Sequence, residues 1–273
     1  MTFDISTVIC GDSRPKWPGF EEHVEEGRVI WGANGANEFS PCQMYQGALD
    51  TTKADIIIYM HNDLEINDPD WLDKVLHIFQ ISDAVAPKDG RVVAVGLGGA
   101  LALGNMDLYR KSFDIRNMAR RRYASNQDDA EFHGERFTEV RRVAVIEQFF
   151  MAIRTDWLRK RLTRKVATKA SPYDYEMGWP TTKLFHHGLD MWVACEAARS
   201  GDRIYMNGIS CHHHGGGVSV SESYNKAKWL GGRTPAEEHR DSHLWLANQY
   251  TDVLPIEVND KVPFNPKQGS YGG

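Results

Sequence analysis

Five apolar residues in a row, Ile56-Ile57-Ile58-Tyr59-Met60, stop abruptly at His61, Asn62, Asp63 and Glu65 within the stretch ADIIIYMHNDLEIN. A short continuous run of β-branched and apolar residues is the pattern of a strand buried on both faces, and such strands belong to parallel sheets sandwiched between helices. In open α/β sheets, ligands sit beyond the carboxyl ends of the strands, which is where this polar cluster falls. Oxygen and nitrogen donors this close together, one of them an acid ionised at neutral pH, make a seat for a divalent cation that carries phosphates. The plainer alternative is a polar turn after a strand.

The chain of 273 residues is long enough for one full-sized α/β domain. With 32 Lys and Arg against 37 Asp and Glu, the net charge of -5 excludes a global field that draws the chain to nucleic acid or an anionic membrane. Cys10, Cys42, Cys195 and Cys211 lie far apart with no C-x-x-C pair, which fits reduced thiols better than a disulfide framework. The first ten residues carry no basic region ahead of their apolar ones, and no window approaches the roughly 18 apolar residues of a membrane span. A soluble, cytoplasmic protein is expected.

The rest of the chain supplies elements around the central strand. Phe3 to Cys10 predicts a first strand that opens onto Gly11, Asp12, Ser13 and Arg14, where glycine lets the backbone approach a ligand and Arg14 can fork onto phosphate. Arg28 to Trp31 predicts a second strand, and Ser40-Pro41 starts a helix to about Thr52. A helix opened by Pro69 and a strand from Arg91 to Gly96 follow. Arg142 to Arg154 reads as a long strand interrupted by Glu147 and Gln148, charge and polarity that belong beside a cavity or a partner. Asp190 falls in the first turn of a helix ending at Gly201, where the helix dipole favours a carboxylate. Arg203 to Ile209 predicts the last strand, delivering CHHHGGG; His212 and His214 are the pair that strand alternation places on one side. Thr234 to Glu237 is a capping box for a helix to about Tyr250.

Two stretches are basic. Arg110 to Arg122 holds six basic residues to one acid, inside a segment, 106–139, that lacks any sustained period and reads as a functional loop or a solvated excursion. Arg154 to Lys169 holds seven basic residues to one acid. Either could clamp a polyanion, and either could be a solvated face.

In order, IIIYMHNDLEI, RRVAVIEQFFMAIR, FHHGLDMWVACEAARSGDRIYM and ISCHHHGGG resemble the blocks of family 2 glycosyltransferases, over roughly Asp4 to Val258. The first is similar to the strand that ends in the family's Asp-x-Asp motif, with His61 in place of the first acid. MYQGALDTTKAD matches the helix before it, with Gln46 where Asn is usual. The resemblance implies an α/β fold: a single GT-A type, Rossmann-like domain over 1–230 with a mostly parallel central sheet flanked by helices. A C-terminal helix and extended tail, 231–273, would pack on it.

The same resemblance implies a sugar transferred from a nucleotide-diphosphate donor to a hydroxyl acceptor. Asp63, with His212 or His214, would hold Mn²⁺ or Mg²⁺ on the donor's phosphates. His61 and Asn62 would touch the metal or the ribose, and Cys10, Gly11, Asp12 and Asn34 would frame base and ribose. Asp190 would be the base of an inverting reaction, although Leu189 stands where the family has a second acid; Glu147 is the reserve carboxylate, and a retaining course stays open. The acceptor could be a glycan, a protein, a small molecule or a modified base in phage DNA.

Three other readings compete. His61, Gln46 and Leu189 suit a catalytically degenerate relative that binds a nucleotide or glycan without turning it over. A nucleotidyltransferase would need a phosphate loop that GDSRP matches poorly, and a zinc protein built on Cys211, His212 and His214 lacks a paired ligand set.

Overall fold

The computed structural model describes residues 2–11, 15–32, 34, 38–84, 90–104, 122–123, 138–162, 184, 186–213, 222–258, 264–265 and 270–271. The elements run β1 (Ile5–Cys10), α1 (Phe20–Glu25), β2 (Val29–Gly32), α2 (Pro41–Thr51), β3 (Ile56–His61), β4 (Leu64–Ile66), α3 (Trp71–Ala84) and β5 (Val92–Gly96). Three short strands follow, β6 (Gly99–Ala100), β7 (Ala102–Leu103) and β8 (Arg122–Tyr123), then β9 (Val140–Val143), β10 (Val145–Ile146), β11 (Phe150–Arg154) and α4 (Thr155–Leu162). The chain continues through α5 (Leu189–Ser200), β12 (Arg203–Asn207), β13 (Cys211–His213), α6 (Glu222–Asn225), α7 (Pro235–Gln249) and β14 (Ile256–Glu257).

Seven strands form the main sheet in the order β2-β1-β3-β11-β5-β12-β9. β1, β2 and β3 are parallel, and β5 is parallel to β12, while β11 and β9 run against their neighbours. The sheet is therefore mostly parallel, as the buried run at its centre predicts. Along β3, Ile56, Ile58 and Met60 enter one core with Trp71, Val75, Ile78 and Phe79 of α3. Ile57 and Tyr59 enter the other with α2, α5 and Leu246 of α7. All five are fully buried, each such side chain contributing about 1.5–3 kcal/mol for a large aliphatic group.

Helix signals in the sequence appear where expected. Ser40 and Gln43 form a capping box with Pro41 at the first helical position, Thr234 and Glu237 form another ahead of Pro235, and Gly201 closes α5 in a left-handed conformation. The long strand expected over Arg142 to Arg154 is broken into β9, β10 and β11. Glu147 and Gln148 lie in a turn rather than within a strand, since the Glu147 N–H bonds to the Gly98 carbonyl and the Phe150 N–H returns to the Glu147 carbonyl. The last strand ends at Asn207, and β13 leaves the sheet to pair antiparallel with β4. At the other end of the chain, α7 places Leu246 in the core beside α5, and β14 pairs with β7.

Arg154 is one of the charged side chains buried among the described residues. Arg154, at the end of β11, is 2% exposed and donates to the carbonyls of Val92 (2.7 Å) and Phe79 (3.0 Å) and to Asp83 Oδ1 (2.8 Å). Its guanidinium also lies over the Phe79 ring at 5.0 Å. It ties α3 to β5 and β11. Arg154→Ala leaves two buried carbonyls without their donor, and is expected to lower unfolding free energy by about 3–5 kcal/mol, the usual loss when a buried pair is broken. A denaturant midpoint close to wild type would show that α3 is held by its apolar face alone.

Candidate active site

The carboxyl ends of β1, β2, β3, β5 and β12 lie along one edge of the sheet, joined there by the start of β11, since Phe150 pairs with Met60. At this edge β3 delivers His61, a two-residue turn carries Asn62 and Asp63, and β4 begins at Leu64. β4 is fixed from both sides: Lys16 exchanges backbone hydrogen bonds with Leu64 and Ile66, and β13 pairs so that His213 faces Leu64 and His212 faces Glu65. That register brings His213 onto the turn.

His61 Nδ1, Asp63 Oδ1 and His213 Nε2 stand 3.4 to 3.8 Å from one another. Ligands about 2.0–2.2 Å from a shared cation have separations close to these, so the three atoms suit a divalent metal in spacing and in chemistry. Asp63 Oδ1 is buried and makes no hydrogen bond, its contact with His213 being an ion-pair distance; such an orphaned atom is suited to ligating a cation. Burial, then His213, brings the His61 imidazole down to about 4, against the pull of Asp63. Burial works to raise the Asp63 carboxyl, yet the facing imidazoles of His213 and His61 outweigh it and hold it at about 2. The set is one carboxylate oxygen with two imidazole nitrogens. Phe149 locks it, its carbonyl taking the His61 N–H at 3.0 Å and its ring stacking on His213 at 4.6 Å.

The residues expected to frame a nucleotide divide into groups. Gly11, at φ 141°, lies so close to Asn62 that a Cβ there would come within 2.4 Å of the amide, so the ends of β1 and β3 meet only through glycine. Cys10 ends β1, and burial pushes its thiol up to about 12. Asn34 spends both amide atoms on the Phe39 backbone, Nδ2 donating at 2.7 Å and Oδ1 accepting at 3.1 Å, which closes the loop ahead of α2. Asp12, Arg14 and His214 lie outside the described residues.

Among the described residues, His213 and not His212 is the histidine that meets Asp63. His212 lies one residue away on the same strand and so faces the other side of the ribbon. Glu147 begins the turn that carries Phe149, at the same edge of the sheet. Asp190 lies in the first turn of α5, where Gly188 is the left-handed N-cap and Asp190 Oδ1 takes the Met191 N–H at 2.8 Å. Of the basic stretch after Arg154, the described arginines turn inward: Arg159 donates to the carbonyls of Leu49 and Thr52, and Arg161 reaches Asp202 at 3.5 Å. Most of the other basic stretch lies outside the described residues.

A second imidazole group, which sequence patterning did not isolate, adjoins the first. His187 Nδ1 is 2.5 Å from Oε2 of Glu238 on α7, His186 Nδ1 is 2.7 Å from the Tyr224 hydroxyl, and the rings of His187, His239 and His243 follow one another at 4.5 and 4.1 Å. Burial, then His187, lowers His239 to about 4, and burial lowers His243 to about 2.

The central strand of a mostly parallel α/β sheet thus ends on an acid and two imidazoles. Residues 32–176 match the Glycosyltransferase like family, which is more than half of the chain, and the protein belongs to that family. Among solved structures, A197 from STIV aligns over 78% of this chain and 86% of its own, at 10% identity and a TM-score of 0.38. No curated protein matches the sequence. No helix among the described residues is long and apolar enough to cross a membrane.

Two outcomes follow from this geometry. In a Mn²⁺ titration of the purified, metal-stripped chain, His213→Ala should weaken binding by at least about tenfold to a hundredfold, whereas His212→Ala should leave it unchanged; the reverse ranking would show that β13 pairs in another register. The depressed imidazoles also bear on stability. A histidine whose folded value lies below its unfolded value of about 6.5 stabilises the fold above that pH, and the contribution is lost as pH falls towards the folded value. With His239 at about 4, urea midpoints should drop between about pH 7 and pH 4, and drop less in His239→Gln. Equal slopes for the two proteins would mean that His239 is charged in the folded state.

Proposed function

We propose that the protein transfers a sugar from a nucleotide-diphosphate donor to a hydroxyl acceptor at the carboxyl edge of the main sheet. The observation that carries this reading is the buried, orphaned Oδ1 of Asp63 facing His61 and His213 at the end of the central strand. These three side chains would hold Mn²⁺ or Mg²⁺. When bound, the cation supplies positive charge to the phosphates of the donor and to the diphosphate as it departs.

The chain's own residues do the rest. Gly11 admits the Asn62 side chain over the end of β1, so ribose and base would lie across the ends of β1 and β2, beside Cys10. The Asn34 clamp on Phe39 shapes the wall of that half. Phe149 fixes the His61 backbone and the His213 ring before any ligand arrives, which spares reorganisation when charge develops. On the acceptor side, Asp190 and Glu147 are the carboxylates that the sequence puts forward to receive the hydroxyl's proton. The four free thiols suit a reducing, cytoplasmic setting.

Thermal shifts with UDP, GDP, CDP and dTDP, each with Mn²⁺, Mg²⁺ or EDTA, test the reading. A nucleotide at about 100 times its dissociation constant adds roughly 2.7 kcal/mol. One nucleotide should stabilise the protein only with metal present, and Asp63→Ala should erase the effect. No shift with any nucleotide, or a shift indifferent to EDTA and to Asp63→Ala, would refute the metal-dependent reading.

A further inference from the structure

Glu238 is the most deeply buried carboxylate at this end of the molecule, at 0% exposure, and its surroundings are all donors. Oε1 accepts the His186 N–H at 3.2 Å and the Ser242 hydroxyl at 2.9 Å, and Oε2 faces His187 Nδ1 at 2.5 Å. The capping box of Thr234 and Glu237 starts α7 immediately ahead of it and so fixes its backbone. Burial works to raise its carboxyl, but the His187 contact, with Ser242 and the His186 N–H, brings it down to about 2. It is a fixed anion.

An anion accepts hydrogen bonds and cannot donate them, so His187 carries a proton on Nδ1. In the neutral ring the lone pair is then on Nε2, which makes no hydrogen bond among the described residues, and the side chain is 26% exposed. His186 stacks on one side of the ring at 4.5 Å and His239 lies against it at 4.5 Å, so its plane is set from several directions. His187 immediately precedes Gly188, the N-cap of α5, and stands three residues before Asp190. It lies within electrostatic range of His61. The lone pair therefore belongs to the same end of the fold as the metal seat.

An imidazole with one nitrogen tied to a buried acid and the other offered outward is the construction of a proton acceptor. Resting on the transfer reading above, we propose that His187 takes the proton of the attacking hydroxyl, with Glu238 as its positioning residue, in place of Asp190. In this step the acceptor O–H gives its proton to Nε2 as its oxygen bonds to the anomeric carbon. The bond from that carbon to the diphosphate oxygen breaks, and its electron pair leaves with the diphosphate. Glu238 balances the imidazolium until the proton passes to solvent at the exposed edge of the ring.

Water can stand in for the acceptor, so the test is the hydrolysis of UDP-glucose, UDP-N-acetylglucosamine and GDP-mannose by the full chain with Mn²⁺, followed against pH. Among the described residues, the other titratable groups around His187 are His186 on its own loop, Glu238, His239 and His243 of α7, and His61 of β3, with Tyr224 of α6 against His186. The wild-type rate should rise through the imidazole range. His187→Gln should fall by about two to four orders of magnitude and lose that rise, while keeping metal-dependent nucleoside diphosphate stabilisation. Added imidazole should restore part of the rate of His187→Ala, and Glu238→Gln should move the midpoint of the rise to lower pH, which a merely structural role would not do. A His187→Gln protein with the wild-type rate and pH profile, alongside an Asp190→Asn protein that has lost its rate, returns the role to Asp190 and overturns the proposal. Wild-type protein that binds nucleotide but hydrolyses no donor is a binding protein and needs no base. Wild-type protein that binds no nucleotide refutes the transfer reading itself.

Discussion

The hydrogen bond from the His61 N–H to the Phe149 carbonyl is where the architecture turns into a site. It joins the last residue of β3 to the residue just before β11, and so fixes the point at which a fully buried strand meets solvent. With that point fixed, the turn at Asn62 and Asp63 has one place to go, and the Phe149 ring is left flat against His213. The antiparallel insertion of β11 between β3 and β5 is thus a functional feature of the sheet. A parallel strand there would present its carboxyl end at this edge and would bring no turn carrying Glu147 and Phe149 to it.

The polar groups at this edge are arranged so that burial reinforces their chemistry. Burial alone would neutralise Asp63 and Glu238, yet both are held as anions by imidazoles placed against them. The imidazoles pair with lone-pair acceptors or with one another, so the cost of a buried charge is offset locally and not by distant cations. Arg154 follows the same rule at the opposite end of β11, where carbonyls of β5 and α3 and the Asp83 carboxylate surround it. Each buried charge in the described structure joins segments that are far apart in sequence.

Much of this was legible in the residues. The β3 run declared its own burial, Ser40-Pro41 and Thr234-Pro235 declared their helices, and Gly201 declared the end of α5. Asp63 and His61 stood out because polar residues ended an apolar run. His213 did not stand out, because choosing among three adjacent histidines depends on the register of β13 against β4, and two three-residue strands carry no pattern that fixes it. Glu147 and Gln148 read as an interruption inside one strand and make a turn between two; β9 and β11 on either side run in the same direction in the sheet, so the sequence shows one continuous apolar run. Asn34 was assigned to a ligand by position alone, and its two bonds to Phe39 are a loop closure that no local signal announces. The Glu238–His187 contact spans 51 residues and two helices, so only packing reveals it.

The family match ends at residue 176, and the site does not. His61, Asp63 and Phe149 fall within the matched part, whereas His187, Asp190, His213 and Glu238 come after it. The later segments are nevertheless not an appendage. Leu189 and Val193 of α5 and Leu246 of α7 are buried in the same core as Val8, Ile57 and Tyr59 of the first strands. At the start of α5, a Cβ at Gly188 would come within 2.8 Å of Leu246, so α7 rests directly on the turn that carries His187. One shared core therefore sets the distance between Asp63 of the first half and the imidazoles of the second.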